Sequence, residues 1–123
     1  MKFDEISNKV IGCAIEVHRS LGPGLLESTY EQCLAREMDL SGIAFKLQSP
    51  LPVEYKGIKL DCGYRVDMLI EDKLIVELKS VEKTLPIHEA QILTYTKLAN
   101  IQVGLLINFN VERLKEGIKR FVL

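Results

Sequence analysis

Gly63-Tyr64-Arg65-Val66-Asp67-Met68-Leu69-Ile70-Glu71-Asp72-Lys73-Leu74-Ile75-Val76-Glu77-Leu78-Lys79-Ser80 is the stretch that decides how this chain is read. Two short apolar runs flank a polar turn, which is the pattern of a β-hairpin. Asp67, Glu77 and Lys79 stand within strands that otherwise favour apolar residues. Charged groups there are costly to bury, so they need partners: each other, or a metal. Two carboxylates and a lysine are the smallest set that holds a hard cation and stabilises charge on a phosphate.

Side chains alternate faces along a strand, so Arg65, Asp67 and Leu69 share one face, and Ile75, Glu77 and Lys79 another. A one-residue slip in pairing reverses every side chain. Asp67 and Glu77 meet only if the loop has odd length, and Glu71-Asp72-Lys73 centred on Asp72 satisfies this. A two-residue turn sends them to opposite faces. The loop carries no glycine, which runs against the usual hairpin preference.

Working outward, 123 residues suit one compact domain, residues 1–123, with its own core. A formal charge of −1 and a pI near 6.1 argue against nucleic-acid binding driven by the whole molecule's field, though not against a local basic patch. The apolar runs are far too short to span a bilayer, so no membrane association is expected. The start Met1-Lys-Phe-Asp-Glu-Ile6 lacks the apolar stretch of a signal peptide. Cys13, Cys33 and Cys62 are odd in number and fit neither a disulfide framework nor a zinc site. They read as reduced core cysteines of a cytoplasmic protein.

Ile6, Val10, Cys13 and Val17 recur at helical spacing over Asp4 to Arg19, and Leu21-Gly22-Pro23-Gly24 breaks the pattern. A second helix runs from Leu25 to about Leu40 and stops at Ser41-Gly42. Phe45 to Tyr55 is extended, with Pro50 and Pro52 marking an edge or a bulge. Lys56-Gly57 turns the chain, and Ile58 to Ile70 with Leu74 to Ser80 make the hairpin. Pro86 opens a helix to about Asn100, and Val103–Ile107 is a buried strand. A short helix or turn over Val111 to Lys119 and a last strand over Arg120 to Leu123 complete the order. This predicts an α/β domain with a mixed central sheet flanked by helices.

Other polar groups have two readings each. Glu27 and Tyr30 share a face at the start of the second helix. Glu27 is either a first-turn acid favoured by the helix dipole or a third carboxylate of the hairpin site, and both readings stay open. Gln91 and Tyr95 are one turn apart, with His88 nearby. They form a solvated face, or Gln91 orients a metal-bound water or phosphate while Tyr95 bonds a phosphate oxygen. His18, near the end of the first helix, suits the carboxyl end of the dipole better than metal ligation. Arg65 contacts phosphate or pairs with a carboxylate. Arg113, Lys115, Lys119 and Arg120 form a modest basic cluster, ordinarily a solvated face.

Asp67 followed by Glu77-Leu78-Lys79 on adjoining strands resembles the PD-(D/E)XK nuclease superfamily. Gly24, Glu27 and Tyr30, led by Leu21-Gly22-Pro23-Gly24, resemble the signature of its GxxExxY family. Gln91 and Tyr95 are similar to the Q-x-x-x-Y element of its RecB-like branch. The likeness runs from about His18 to the C-terminus, and Val66 departs from the proline of the motif. It implies a restriction-endonuclease-like core, α-α-β-β-β-α-β, and phosphodiester hydrolysis dependent on Mg2+ or Mn2+. It implies Asp67 and Glu77 as metal ligands, with the Leu78 carbonyl completing the shell and Glu27 bound directly or through water. Lys79 is implied as the catalytic lysine and Gln91 as a supporting catalytic residue. Tyr95, Arg65 and Tyr30 are the expected substrate contacts.

By analogy the nucleic-acid substrate is DNA rather than RNA. Small nucleases often pair to span a duplex, so a homodimer is compatible with the reading. The competing reading is a non-catalytic binding or assembly module that keeps the nuclease-like fold. A third takes Asp67, Glu77 and Lys79 as a structural ion-pair cluster, which is weak evidence for stability in any case.

Overall fold

The computed structural model describes residues 5–123, so the expected helix start at Asp4 lies outside the described residues. Helix α1 covers Glu5–Leu21 and buries Val10, Cys13, Ala14 and Val17, one stripe at helical spacing. Helix α2, Glu27–Leu40, buries Tyr30, Leu34, Ala35 and Met38 in the same way. It ends where Gly42 takes a left-handed φ of 72°, which suits a residue without a Cβ.

Strand β1 is Phe45–Pro50, β2 Val53–Tyr55, β3 Ile58–Leu60, β4 Arg65–Ile70 and β5 Leu74–Lys79. Helix α3, Pro86–Ala99, crosses to β6, Val103–Asn108; a 3-10 turn, Leu114–Gly117, precedes β7, Ile118–Val122. Five strands form one sheet in the order β1-β4-β5-β6-β7, while β2 and β3 form a separate two-stranded ribbon. The β5–β6 pair is parallel and the others in the sheet are antiparallel, so the sheet is mixed as expected. Among the described residues no helix is long and apolar enough to cross a membrane.

The sequence reading joined β1 to β2 and β3 to β4 as two long strands, and the structure corrects this. Pro50 and Pro52 cannot donate to a ladder, so the chain leaves the sheet after Pro50, at the edge position β1 occupies. It returns at Arg65 after a bend in which Asp61 Oδ1 accepts the Gly63 N–H. The ribbon between them closes on Lys56 and Gly57, both at positive φ, the geometry of a tight hairpin turn.

Two apolar layers sandwich the sheet. Met68, Ile70, Leu74, Val76, Leu78, Leu105 and Ile107 pack against α1 and α2. Ile75 and Leu106 pack with Ile92 and Tyr95 of α3 on the other side. That second contact is close at Gly104, where a Cβ would lie 3.0 Å from Thr96 and 3.1 Å from Ile92. Cys13, Cys33 and Cys62 are all free, but only Cys13 is buried and Cys62 is exposed, which corrects their reading as core residues.

Candidate active site

The β4–β5 register is Met68↔Val76, Leu69↔Ile75 and Ile70↔Leu74. The loop is therefore Glu71-Asp72-Lys73, the odd length that faces Asp67 with Glu77. Glu71 and Asp72 take φ of 50° and 55°, doing without glycine what a hairpin turn requires. Lys73 N–H closes the turn on the Ile70 carbonyl at 2.9 Å.

The ladder ends at Met68↔Val76, and beyond it the two carboxylates replace backbone partners. Asp67 N–H donates to Glu77 Oε2 at 2.7 Å, and Leu78 N–H donates to Asp67 Oδ2 at 2.8 Å. Each acid thus caps the other strand, and the pair is locked in orientation. On the β1 side the register also skips Gln48↔Asp67, because Gln48 sits at φ 50°. Its amide donates to Asp67 Oδ1 at 3.3 Å and to Glu31 Oε1 of α2 at 2.8 Å. Backbone pairing is therefore interrupted on both sides of Asp67.

Electrostatics follow from this geometry. Glu77 is only 6 % exposed. Burial, then the neighbouring Asp67 charge, pushes its carboxyl up to about 8; the Asp67 N–H and Lys79 oppose this, and Glu27 adds to it. Glu31 is raised by burial, opposed by the Gln48 hydrogen bond and reinforced by Asp67 and Glu27. Burial raises Tyr95, the Gln91 bond lowers it, and Glu77, Tyr64 and Asp67 raise it. These couplings bring Asp67, Glu77, Lys79, Glu27, Glu31 and Tyr95 into one electrostatic neighbourhood.

The donor set fits a hard divalent cation. Asp67 and Glu77 offer oxygen ligands, and Leu78 directs its N–H, hence its carbonyl also, toward their edge of β5. A buried carboxylate ordinarily has an ion partner or a metal, yet no ion pair among the described residues includes Glu77. The expected third ligand is less well placed. Glu27 is exposed, and among the described residues no three acidic, histidine or cysteine side chains are grouped to hold a metal ion. That leaves a two-carboxylate centre, with Glu27 near enough only for charge interaction to be evident.

Several expectations change. Tyr30 is fully buried, stacks on Phe109 with ring centroids 4.4 Å apart, and donates its hydroxyl to the Gly22 carbonyl while accepting from Leu25 N–H. It holds the Gly22–Leu25 turn, and its hydroxyl is engaged there. His18 is buried and its Nε2–H donates to the Val111 carbonyl at 2.7 Å, tying α1 to the segment before the 3-10 turn rather than ligating metal. Arg65 is exposed and donates to the Tyr64 carbonyl, and none of the ion pairs among the described residues includes it. Gln91 Nε2 donates to Tyr95 Oη at 3.0 Å. His88 accepts the Leu85 N–H at the start of α3, an end-capping role. In the basic cluster, Lys119 is tied to Glu89 of α3.

Sequence reasoning missed Gln48, Glu31 and Asn108. Asn108 is buried; its amide donates to the Val81 carbonyl and its Oδ1 accepts from Val81 N–H and Asn110 N–H. It extends the β5–β6 pairing past Lys79 and fixes the chain leaving the site. Ser80 Oγ donates to the Leu25 carbonyl, joining that exit to the turn before α2. Only an asparagine at the end of an apolar strand signalled this in the sequence.

Neither a comparison with curated proteins nor one with solved structures returned a match. A scan against protein families did: the model of the PD-(D/E)XK nuclease superfamily matches residues 4–121. That span contains the helices, all of the mixed sheet but the last residue of β7, and the paired carboxylates of β4 and β5. Family match and fold agree over nearly the whole chain, and the protein belongs to the PD-(D/E)XK nuclease superfamily.

Proposed function

We propose that this chain is a divalent-metal-dependent nuclease that hydrolyses phosphodiester bonds of DNA. One observation carries the reading: Glu77 is buried opposite Asp67, each carboxylate anchored by a backbone N–H, with no ion pair to balance them among the described residues. A carboxyl buried in this way either keeps its proton, as the rise of Glu77 to about 8 implies for the metal-free protein, or gives it up to a bound cation. Members of the superfamily generally use divalent metals, and Mg2+ or Mn2+ suits two carboxylates with remaining water ligands. When bound, such an ion neutralises the phosphate and lowers the pKa of its water.

The chain's own residues then have distinct tasks. Asp67 and Glu77, with the Leu78 carbonyl, would hold the ion, and Glu27, which reaches the pair only through its charge, would support it from a distance. Lys79 lies on the Glu77 face by strand alternation and supplies positive charge to the attacking water or to the phosphate as charge develops on it. Tyr95 accepts from Gln91, so its own proton points elsewhere and can be donated to a phosphate oxygen. Arg65, exposed two residues from Asp67, offers a guanidinium to the strand backbone. Placement in the GxxExxY group rests on Gly24, Glu27 and Tyr30, and DNA over RNA rests on superfamily analogy. The three free cysteines accord with a reducing, cytoplasmic setting.

The test is a panel of linear, circular, single-stranded and branched DNA with and without Mn2+, run on the parent and on Lys79→Ala. Cleavage is expected only with metal. Lys79→Ala is expected to bind Mn2+ by calorimetry yet turn over about 100-fold more slowly or worse. A Lys79→Ala protein that cleaves like the parent overturns the mechanism. No Mg2+ or Mn2+ binding by the parent instead favours a non-catalytic module.

A further inference from the structure

We infer that Gln48 is a positioning residue for the Asp67 carboxylate, held in an unfavourable backbone conformation so that its side-chain amide bridges Asp67 and Glu31. The inference rests on the reading of Asp67 as a metal-holding group. Gln48 lies inside β1, where a strand residue normally has negative φ, yet it adopts φ 50°. A glutamine gains nothing locally from that region, unlike glycine or asparagine. Such a residue persists only where its surroundings demand it, and these cluster at functional sites.

What the conformation accomplishes is visible in the hydrogen bonds. The β1–β4 register opens at one pair, Gln48↔Asp67, and closes again at Ser49↔Val66 without a shift. The amide of Gln48 reaches Asp67 Oδ1 at 3.3 Å and Glu31 Oε1 at 2.8 Å. Asp67 Oδ2 is already held by Leu78 N–H. Both oxygens of Asp67 are therefore anchored from opposite sides, and its carboxylate plane is set. The same amide stands between two acids that otherwise repel, Glu31 being raised in part by the Asp67 charge. Partners that orient a ligand in this way typically contribute 10- to 100-fold to metal affinity. Gln48 is exposed to water, so the low end of that range, about tenfold, is expected.

The experiment uses Gln48→Gly and Gln48→Asn. Both residues accept a positive φ, and neither can bridge: one has no amide and the other is a methylene too short. Thermal stability is expected to stay at or above the parent's. Mn2+ affinity by calorimetry is expected to fall about tenfold. In metal-free protein the Leu78 amide, which rests on Asp67, is expected to exchange hydrogen several-fold faster, with Val76 as internal control. Unchanged Mn2+ affinity in a parent that binds Mn2+, or unchanged Leu78 exchange, overturns the positioning role. A parent that binds no Mn2+ overturns the nuclease reading, and Leu78 exchange then decides on Gln48 alone.

Discussion

Replacing Glu77 by glutamine removes a buried carboxylate while keeping an oxygen to accept the Asp67 N–H. In the unfolded chain the acid titrates near 4.5, and in the folded, metal-free protein near 8. The raised value means the native state holds a proton that the unfolded state has released. Stability is undiminished below pH 4.5 and falls as pH rises from there to about 8. Each pH unit in that window is worth about 1.4 kcal/mol, so the full penalty is at most on the order of 5 kcal/mol. Glutamine has no proton to lose and escapes it. In metal-free buffer, Glu77→Gln is expected to gain on the parent steadily between pH 5 and 8. At roughly 3–5 °C per kcal/mol for a domain of this size, the gap reaches several degrees or more by pH 8. Millimolar Mg2+ is expected to narrow the gap by binding the parent alone. The assay is thermal unfolding of both proteins across pH, with and without chelator. The difference between the two curves cancels the titrating groups that lie outside the electrostatic neighbourhood of Glu77. A difference that stays flat between pH 5 and 8 refutes the account of Glu77 as a buried, cation-deprived acid.

Two further outcomes test the scaffold around the site. Tyr30→Phe keeps the stack on Phe109 but deletes the hydroxyl bonded to Gly22 and Leu25; we expect about 1–2 kcal/mol of lost stability in urea unfolding and sharper proteolysis in the Gly22–Leu25 turn. Asn108→Leu preserves volume but strands the Val81 N–H and carbonyl, so about 2–4 kcal/mol of destabilisation is expected by the same measurement, and a neutral result would discount its bridging role.

Much of the site could be read without coordinates because strand alternation is a local rule. Once Glu71-Asp72-Lys73 is taken as the loop, Asp67 and Glu77 must face each other, and they do. Glycine was unnecessary there because Glu71 and Asp72 accept the left-handed region themselves. Tyr30 illustrates the opposite case. Its spacing from Glu27 suggested a shared working face, but burial depends on what packs above the helix, and Phe109 comes from the far end of the chain. The two over-long strands arose because apolar alternation continues through 53–60, where the residues pair with each other instead of with the sheet.

By itself, the sequence determined the α/β order and reduced the hairpin to one choice, since strand alternation makes Asp67 oppose Glu77 if the loop is odd and not if it has two residues; the observed register is the odd one. Only the tertiary structure decided the rest. It placed Gln48 and Glu31 beside Asp67, turned Tyr30 and His18 into internal fasteners, and closed the exit from Lys79 with Asn108. Apart from the bond of Tyr30 to Gly22, those contacts join residues 17 to 93 positions apart. No local pattern encodes them, because each depends on how helices and a broken strand edge come together in space.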